Sequence, residues 1–460
     1  MIRLFHVFFP GRTLLLAATE GAVSALTLVL AVYLWFGRDT DMALRYDYGV
    51  IRIAFASLVF VMCMYYGDLY DSMVLRSFRE VTSRIVQVLG TVCMVLAVIY
   101  YAYPAVQIGR GPMVTWVAIS AVCLVLWRRL YVSLSISARL SDRSALLGDG
   151  PLVPALAAEI STRPEFSLHL VGYVAPQTSA SAEMAGLPRM GTVGELEEII
   201  RREDISRVII SMEDRRGQLP VEQLLHLKTQ GVVIQDGSDV YEALTGKVPV
   251  RSLRLSWLLF SDGFRISRWT LIYKRAASIV LSSLGLVLAL PVMAAIALAI
   301  RLDSTGPAIF KQQRVGKDGR RFTLWKFRSM RQHSDPNLPA QPDDERITRV
   351  GRWIRRCRLD ELPQLFNILR GDMSLVGPRP FTPTAEEECA QRIPFYNQRW
   401  SIKPGATGWA QIMGGYCSTL DDNIEKLGYD LYYIKNISVG LDCLIVFHTI
   451  KILLLGRGAR

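Results

Sequence analysis

Two adjacent carboxylates beside a run of arginines are the residues of this sequence best suited to chemistry on phosphorus. Asp360 and Glu361 follow a four-residue run with three arginines that begins at Arg355, and Pro363 comes just after them. Proline is well tolerated in the first turn of a helix, so we expect the pair at a helix N-terminus, where the helix dipole keeps carboxylates ionised. An ionised aspartate can attack phosphorus as a nucleophile.

Such a pair needs positive charge beside it, because neighbouring carboxylates repel each other. Arg355 and a divalent ion such as Mg²⁺ would supply that charge and would also neutralise substrate phosphates, with Asp360 and Glu361 as candidate metal contacts. Taken alone, the pair has a plainer interpretation of at least equal weight, in which both residues simply cap a helix.

Two turns rich in glycine and proline follow the carboxylate pair. The first runs through Gly377 and Pro378 to Arg379, and the second runs from Lys403 through Gly405. A rigid turn fixes a guanidinium against a phosphate with little loss of conformational entropy. Both turns therefore favour phosphate recognition.

The positive charge of the chain is concentrated in the same region. Over 460 residues, 53 Lys and Arg oppose 41 Asp and Glu, which gives a formal net charge of +12. Residues 301–380 alone hold seventeen of these cations and nine of the anions, which predicts a polyanionic substrate. No aromatic ladder or nucleic-acid-binding motif accompanies the charge, so nucleic acid is not expected as a partner.

The composition indicates a membrane protein with more than one folded unit. Hydrophobic residues make up 51% of the chain, charged residues only 20%, and the mean hydropathy is +0.25. These values exclude a collagenous or disordered chain. Seven widely spaced cysteines without a CxxC pair, together with only five histidines, indicate neither a zinc site nor a disulfide framework.

Four apolar stretches precede residue 135, at residues 13–36, 50–66, 85–103 and 112–130. Each approaches the ~20 helical residues that cross a ~30 Å hydrocarbon core. Arginines cluster before the first stretch, between the second and third (Arg76 and Arg84) and after the fourth (Arg128 and Arg139), which places those segments in the cytoplasm. Three further arginines, two in the loop between the first two stretches and one just inside the second, reduce the contrast in charge, but three aspartates accompany them.

Glu20, inside the first stretch, leaves two interpretations of this region open. It could belong to a transport path, or the four stretches could serve only as an anchor. A single carboxylate makes a poor relay, and the aromatic residues cluster near the span ends, so we favour an anchor over residues 1–135.

Residues 144–245 have the sequence pattern of a small α/β domain. Short β-rich runs at 144–147, 169–174, 207–212 and 232–235 alternate with helix-like stretches, which predicts a doubly wound, Rossmann-like fold. The turn from Gly148 to Pro151 begins like a dinucleotide fingerprint but lacks its third glycine. We therefore favour a structural or regulatory domain over a working cofactor site, followed by a linker at 246–269.

A second membrane element is expected at about residues 274–300, with Pro291 in its interior. A simple fifth span would place the following residues outside the cell, yet a cationic stretch follows at once and favours the cytoplasmic side. A re-entrant helix that bends at Pro291 reconciles the two observations, and an ordinary kinked span is the alternative. Residues 439–455 predict an amphipathic helix on the membrane surface.

Six motifs in order then make the region from about residue 270 to residue 460 recognisable. They are Gly306-Pro307, Gln313-Arg314-Val315-Gly316, Lys326-Phe327-Arg328-Ser329-Met330, and residues 359–364, 371–380 and 403–411. Together they resemble the catalytic domain of the bacterial polyprenyl-phosphate sugar-1-phosphate transferases. These are the monotopic phosphoglycosyl transferases that initiate exopolysaccharide or O-antigen assembly. The preceding spans and α/β domain look like the large, multi-domain branch, similar to undecaprenyl-phosphate galactose or glucose phosphotransferases.

The resemblance implies a role for each matching residue. It assigns the catalytic dyad to Asp360 and Glu361, and the helix-breaking proline to Pro291, although Leu290 stands where the family often has serine. The expected phosphate-binding residues are Arg355, Arg379, Arg314 and Arg328, and those expected at the nucleotide or its turns are Gly377, Pro378, Lys403 and Gly405.

The implied reaction has two steps and uses Mg²⁺. The aspartate attacks a UDP-sugar, UMP leaves, and polyprenyl phosphate then takes the sugar phosphate from the enzyme. The implied partners are a UDP-sugar, polyprenyl phosphate, the bilayer and a second copy of the chain. The implied location is the bacterial inner membrane, with the catalytic domain on its cytoplasmic face.

The predicted fold class is a membrane α+β protein. It has a four-helix transmembrane region at 1–135, a Rossmann-like middle domain at 144–245, and a mainly α catalytic domain at 270–460 with a re-entrant helix and interfacial helices. A non-catalytic membrane scaffold or nucleotide-sugar sensor is the alternative function. The sequence does not identify the sugar, with a hexose favoured over its N-acetylated relatives.

Overall fold

The structure is a computed structural model. It describes residues 2–4, 7–45, 48–70, 78–135, 142–176, 183–184, 186–213, 215–216, 218–253, 263–264, 266–331, 344–414 and 419–455. Arg76, Arg139 and much of the predicted linker, residues 254–262 and 265, lie outside this range. The chain forms two compact units, chiefly Phe9–Gly237 and Ser238–Arg460, and the predicted domain limits stay a prediction.

Helices dominate the first half of the first unit. Two short paired strands come before them, β1 (Ile2–Leu4) and β2 (Val7–Phe9). The helices are α1 (Gly11–Phe36), α2 (Thr40–Arg45), α3 (Gly49–Tyr66), α4 (Phe78–Ala102) and α5 (Arg110–Ser135). All but α2 contain a stretch that is long and apolar enough to cross a membrane.

The membrane-length helices pack around one apolar core. Leu28 of α1, Phe60 of α3, Leu89 of α4 and Trp116 of α5 are all buried in it. Their outward faces carry exposed leucine, valine and tyrosine side chains, such as Tyr33, as expected of helices that face lipid.

A buried ion pair joins the first and last of these helices. The Arg128 guanidinium donates from Nε to Glu20 Oε1 at 2.6 Å and from Nη1 to the Leu69 carbonyl at 2.7 Å. Both charged side chains are almost fully buried. Removing one partner of a buried pair costs about 3–5 kcal/mol, because the other charge is left uncompensated. Glu20 thus has a partner that ties α1 to α5, which supports the anchor interpretation.

A six-stranded sheet follows in the same unit. Its strands are β3 (Asp142–Leu147), β4 (Leu168–Ala175), β5 (Glu183–Met184), β6 (Leu187–Thr192), β7 (Arg207–Ile210) and β8 (Val233–Asp236). The order is β5-β6-β4-β3-β7-β8, and every pairing is parallel except that of β5 with β6. The connecting helices are α6 (Leu152–Thr162), α7 (Leu196–Arg202) and α8 (Val221–Thr229).

This strand order is that of a Rossmann-like fold, with the crossover point between β3 and β7. The glycine turn after β3 lies at this point, where such folds bind ligands. Here the turn packs against the chain itself: the Gly150 N–H donates to the Ser211 carbonyl at 3.1 Å, and a Cβ on Gly148 would lie 2.6 Å from the Met212 nitrogen. The contact supports the structural interpretation of this turn, since that N–H is already engaged.

The second unit combines a long apolar helix with short strands and many helices. The strands are β9 (Ile309–Val315), β10 (Arg321–Phe327), β11 (Ser374–Val376) and β12 (Gly405–Thr407). The helices are α9 (Gly237–Thr245), α10 (Arg268–Asp303), α11 (Arg349–Arg356), α12 (Gln364–Arg370), α13 (Pro383–Arg392), α14 (Trp409–Met413), α15 (Leu420–Lys435) and α16 (Val439–Leu454). The apolar helices together with the parallel sheet confirm the coarse fold class, a membrane protein of mixed helix and strand.

Among the residues that the structure describes, α10 is the fifth helix that is long and apolar enough to cross a membrane. It runs for 36 residues as one helix and includes Pro291. The re-entrant path predicted for it stays a proposal. Near its first end, the Lys274 ammonium contacts Asp442 Oδ2 of α16 and the Tyr433 hydroxyl of α15, both at 2.5 Å.

The glycine turn of the sheet gives a stability prediction. A Cβ on Gly150 would lie 2.4 Å from the Ser211 carbonyl oxygen, so Gly150→Ala must displace backbone. We expect Gly150→Ala to lower stability by about 1–3 kcal/mol, the usual cost of overpacking. Thermal unfolding of the detergent-solubilised chain measures this loss. Gly194→Ala is the matched control, because its nearest neighbour would lie 4.0 Å away. Equal melting temperatures for the two variants would contradict the packing described.

Candidate active site

An antiparallel hairpin forms one side of the site. Strands β9 and β10 pair from Arg321 opposite Val315 to Phe327 opposite Ile309. The side chain of Asn367 ties the hairpin to α12. Its amide oxygen accepts from the Trp325 N–H at 3.0 Å, and its amide nitrogen donates to the Thr323 carbonyl at 2.7 Å.

The carboxylate pair lies in a 3-10 turn, Leu359–Glu361, directly before α12. The pair therefore lies about one turn before the first residue of the helix, and the sequence predicted it at the helix N-terminus. Leu359 and Leu362, on either side of the pair, pack against the core formed by α10 and its neighbours. Their burial fixes the two acidic residues between them at the edge of that core.

Glu361 is held by two cations. Its Oε1 accepts from Lys326 Nζ at 3.2 Å and from Arg379 Nη2 at 2.9 Å. Burial opposes ionisation, but Lys326 and then Arg379 outweigh it and hold the pKa of Glu361 below its usual range. Glu361 is thus a fixed negative charge that positions both cations.

Asp360 differs from its neighbour. Among the described residues it has no hydrogen bond or ion pair at its carboxylate, and its side chain is half-buried. Burial raises the pKa of Asp360, although Lys326 and Arg355 pull it down. The pKa values of the two adjacent carboxyl groups therefore shift in opposite directions, downward for Glu361 and upward for Asp360. A more basic carboxylate is a stronger nucleophile wherever it is ionised.

The turn that carries Arg379 is built on backbone contacts between two glycine turns. Gly377 N–H donates to the Thr407 carbonyl at 2.9 Å, and Gly405 N–H donates to the Pro378 carbonyl at 2.9 Å. A Cβ on Gly405 would lie 2.1 Å from the Gly377 nitrogen, so only glycine allows this approach. The two predicted turns therefore form one support beneath Arg379.

Arg314 belongs to the same cluster of charges. Its Nη1 donates to the Pro380 carbonyl at 3.2 Å and its Nη2 donates to Gln312 Oε1 at 2.6 Å. Burial, and secondly the like charge of Arg379, lowers the pKa of Arg314 to about 10. With Arg355, which acts on Asp360, three of the four predicted phosphate-binding arginines therefore gather around the dyad.

Two predicted binding residues have other surroundings. Arg328 is buried and donates to the backbone and side-chain oxygens of Ser304, just after α10, at 2.7 and 3.0 Å. Lys403 is exposed as a whole, but partial desolvation of its ammonium, together with the like charges of Arg275 and Lys317, lowers its pKa. Their roles in substrate binding stay predictions.

The side chains of the site could supply only some of the ligands that a Mg²⁺ ion needs. No group of three or more His, Cys, Asp or Glu side chains able to hold a metal occurs within the described ranges. Asp360 and Glu361 offer two carboxylates, and one or two carboxylates plus substrate phosphates is the usual way in which proteins bind Mg²⁺. The residues present therefore fit an ion that arrives with a phosphorylated substrate.

Lys326 lies in the candidate site, but the sequence did not identify a role for it. It occurs in a recognised motif, but its neighbours Trp325 and Phe327 give the segment the look of a plain buried strand. The signal available was a cation between two aromatic residues in that strand. Burial lowers the pKa of Lys326 and the carboxylate of Glu361 opposes the shift.

Comparison with known proteins identifies two families that the chain matches. Residues 269–456 match the family described as bacterial sugar transferase, and residues 66–227 match a CoA-binding domain family. The matched part of the undecaprenyl-phosphate glucose phosphotransferase of Komagataeibacter xylinus is 38% identical and covers 70% of this chain and 60% of that protein. A UDP-N-acetylgalactosamine-undecaprenyl-phosphate N-acetylgalactosaminephosphotransferase of Aeromonas hydrophila is 46% identical over 48% of this chain and 52% of its own length.

A third relative is matched over most of its length. The UDP-glucose:undecaprenyl-phosphate glucose-1-phosphate transferase of Xanthomonas campestris is 33% identical over 75% of this chain and 74% of that protein. The chain thus spans about half to three quarters of these relatives. It belongs to the family of bacterial polyprenyl-phosphate sugar-1-phosphate transferases.

Proposed function

We propose that the chain transfers a sugar-1-phosphate from a UDP-sugar to a polyprenyl phosphate through a covalent intermediate on Asp360. One observation carries the proposal: an unengaged, basic carboxylate stands beside one that two cations hold in place. The two carboxylates therefore have different roles: Asp360 is available to react, and Glu361 holds Lys326 and Arg379 in position beside Asp360.

In the first step, an Asp360 oxygen attacks the β-phosphorus of the UDP-sugar. The bond from that phosphorus to the bridging oxygen breaks, and UMP leaves with the electron pair. Negative charge grows on the oxygens around phosphorus, where Arg379, Arg314 and Arg355 supply positive charge. The acyl phosphate that forms carries the sugar on Asp360.

In the second step, a phosphate oxygen of the polyprenyl phosphate attacks the same phosphorus. The bond between phosphorus and Asp360 breaks, the carboxylate is regenerated, and the product is a polyprenyl diphosphate sugar. Mg²⁺ bound at the two carboxylates would screen the phosphate charges that meet there.

The membrane elements fit a reaction between a soluble and a lipid substrate. We propose that α1, α3, α4 and α5 span the inner membrane and that α10 enters it and returns to the cytoplasmic face. The catalytic residues then lie at the surface, within reach of both substrates. Homodimerisation remains part of this proposal.

The sugar is a hexose or an N-acetylhexosamine, since the named relatives act on glucose and on N-acetylgalactosamine. The alternative function, a non-catalytic scaffold or nucleotide-sugar sensor, has some support in the match to a CoA-binding family. It predicts binding without turnover.

The first prediction concerns Asp360. Asp360→Asn removes the nucleophile without changing its size, so we expect UMP release from any UDP-sugar to fall by at least about 10³-fold. The assay uses purified chain, Mg²⁺, polyprenyl phosphate and a panel of UDP-sugars. Asp421→Asn, an exposed acid on α15, is the matched control with unchanged activity. Full activity of Asp360→Asn would refute the covalent mechanism, and no turnover by the unmodified chain would favour the scaffold.

A second prediction concerns pH. Asp360 attacks only when it is ionised, so activity is present above its raised pKa and is lost as the pH falls through it. Lys326 pulls this pKa down, so Lys326→Met should raise it further and move the acid limb of the pH-rate profile to higher pH. Lys311→Met, an exposed cation on β9, should leave the limb in place. An unmoved limb in Lys326→Met would show that another group sets it.

A third prediction tests the membrane path. A cysteine introduced as Arg301→Cys, at the end of α10, should react with an impermeant maleimide only after the cells are opened. Arg38→Cys, in the loop between α1 and α3, should react in intact cells. Both are exposed side chains that become the same residue, so their reactivities are comparable. Labelling of the first variant from outside would establish an ordinary fifth span.

A further inference from the structure

Arg399 is a buried arginine whose guanidinium is fully engaged. It lies in the 3-10 helix Tyr396–Ser401, and its side chain is 5% exposed. Its Nη1 donates to Glu386 Oε1 at 2.9 Å and to the Tyr396 hydroxyl at 2.7 Å, and its Nε donates to Asp430 Oδ2 at 3.2 Å. Two buried carboxylates, from α13 and α15, therefore fix its plane.

The third guanidinium nitrogen of Arg399 contacts the candidate active site. Its Nη2 donates to the backbone carbonyl of Arg379 at 2.8 Å. Glu386, held by Arg399, accepts from the Phe381 N–H at 3.2 Å, so the backbone is fastened on both sides of Pro380. Arg379 in turn donates to Glu361 at 2.9 Å.

These contacts form one continuous chain from α15 to the dyad. Asp430 and Glu386 hold Arg399, Arg399 holds the backbone of Arg379, and the Arg379 guanidinium reaches Glu361. The Arg379 side chain is 35% exposed, so a substrate phosphate can reach it. A guanidinium on an unsupported turn would lose much of its orientation, and a displacement of about 1 Å can cost about 10²-fold in rate.

We propose that Arg399 is a positioning residue for the proposed transfer, which acts by fixing Arg379 against the substrate phosphate. This inference rests on the proposed function. A residue that served only to hold α13, α15 and the 3-10 helix together would act on stability, whereas a positioning residue acts through Arg379 alone. The two roles therefore differ in whether the effects of changing Arg399 and Arg379 are independent.

A double-mutant cycle separates these roles. Arg399→Lys keeps a cation between Glu386 and Asp430 but cannot also reach the Arg379 carbonyl. We expect it to lower kcat for UMP release about 10- to 100-fold, with a melting temperature near that of the unmodified chain. In the Arg379→Ala background, the same change should cost little more, because its target is gone. Full activity of Arg399→Lys, or losses that multiply in the double variant, would overturn the proposal.

Two further measurements keep the test decisive. If Arg399→Lys does not fold, Asp430→Asn removes one of the groups that orient Arg399 and should give a smaller loss with the same dependence on Arg379. Arg392→Met, an exposed arginine on α13, is the control that should change nothing. If the unmodified chain releases no UMP, the proposed function fails, and the same cycle is measured on UDP binding. A cycle without coupling there, or no UDP binding at all, rejects the positioning role.

Discussion

The interaction on which the site depends is the sharing of Glu361 between Lys326 and Arg379. These residues come from a hairpin, a 3-10 turn and a glycine turn, and the carboxylate oxygen is the point where the three segments meet. Without that oxygen, two partly buried cations would face each other and repel. Without the cations, burial would raise the pKa of Glu361. The cluster is therefore stable only when complete, and Asp360 next to it keeps its own carboxylate unengaged.

The support behind each cation explains why the segments are arranged as they are. Lys326 is placed by the pairing of β10 with β9 and by the side chain of Asn367, which closes the edge of the hairpin. Arg379 is placed by the approach of two glycine turns, which a single methyl group would prevent. The rigidity of both supports matters, because catalysis of phosphoryl transfer depends mainly on cations that are already in position. A cation that must reorient during the reaction stabilises the transition state less.

The dyad, the arginine-bearing turns and the membrane stretches are readable in the sequence, because each shows a local signal of type, spacing or hydropathy. Lys326 is not, since its importance comes from a contact with Glu361, 35 residues further along the chain. The alternating strands predicted the parallel sheet, but β5 and β6 were missed. β5 is only two residues long, and β6 is at most half-buried and contains Pro188 and Gly191. The opposite pKa shifts of two adjacent acids also lie beyond a sequence pattern, since they depend on which of the two meets the cations.

Contacts within the second unit join the apolar helix α10 to the segment that carries Asp360 and Glu361. Arg275 of α10 donates to the carbonyls of Ile368 and Leu369, at 2.6 and 2.8 Å, and so caps the last turn of α12. The other end of α12 follows the dyad, whose flanking Leu359 and Leu362 pack on the core of α10. Both ends of the dyad segment are therefore tied to one apolar helix. In the proposed reaction, a shift of that helix in the bilayer would carry Asp360 with it, so the depth of α10 would set the depth at which a lipid phosphate meets this carboxylate.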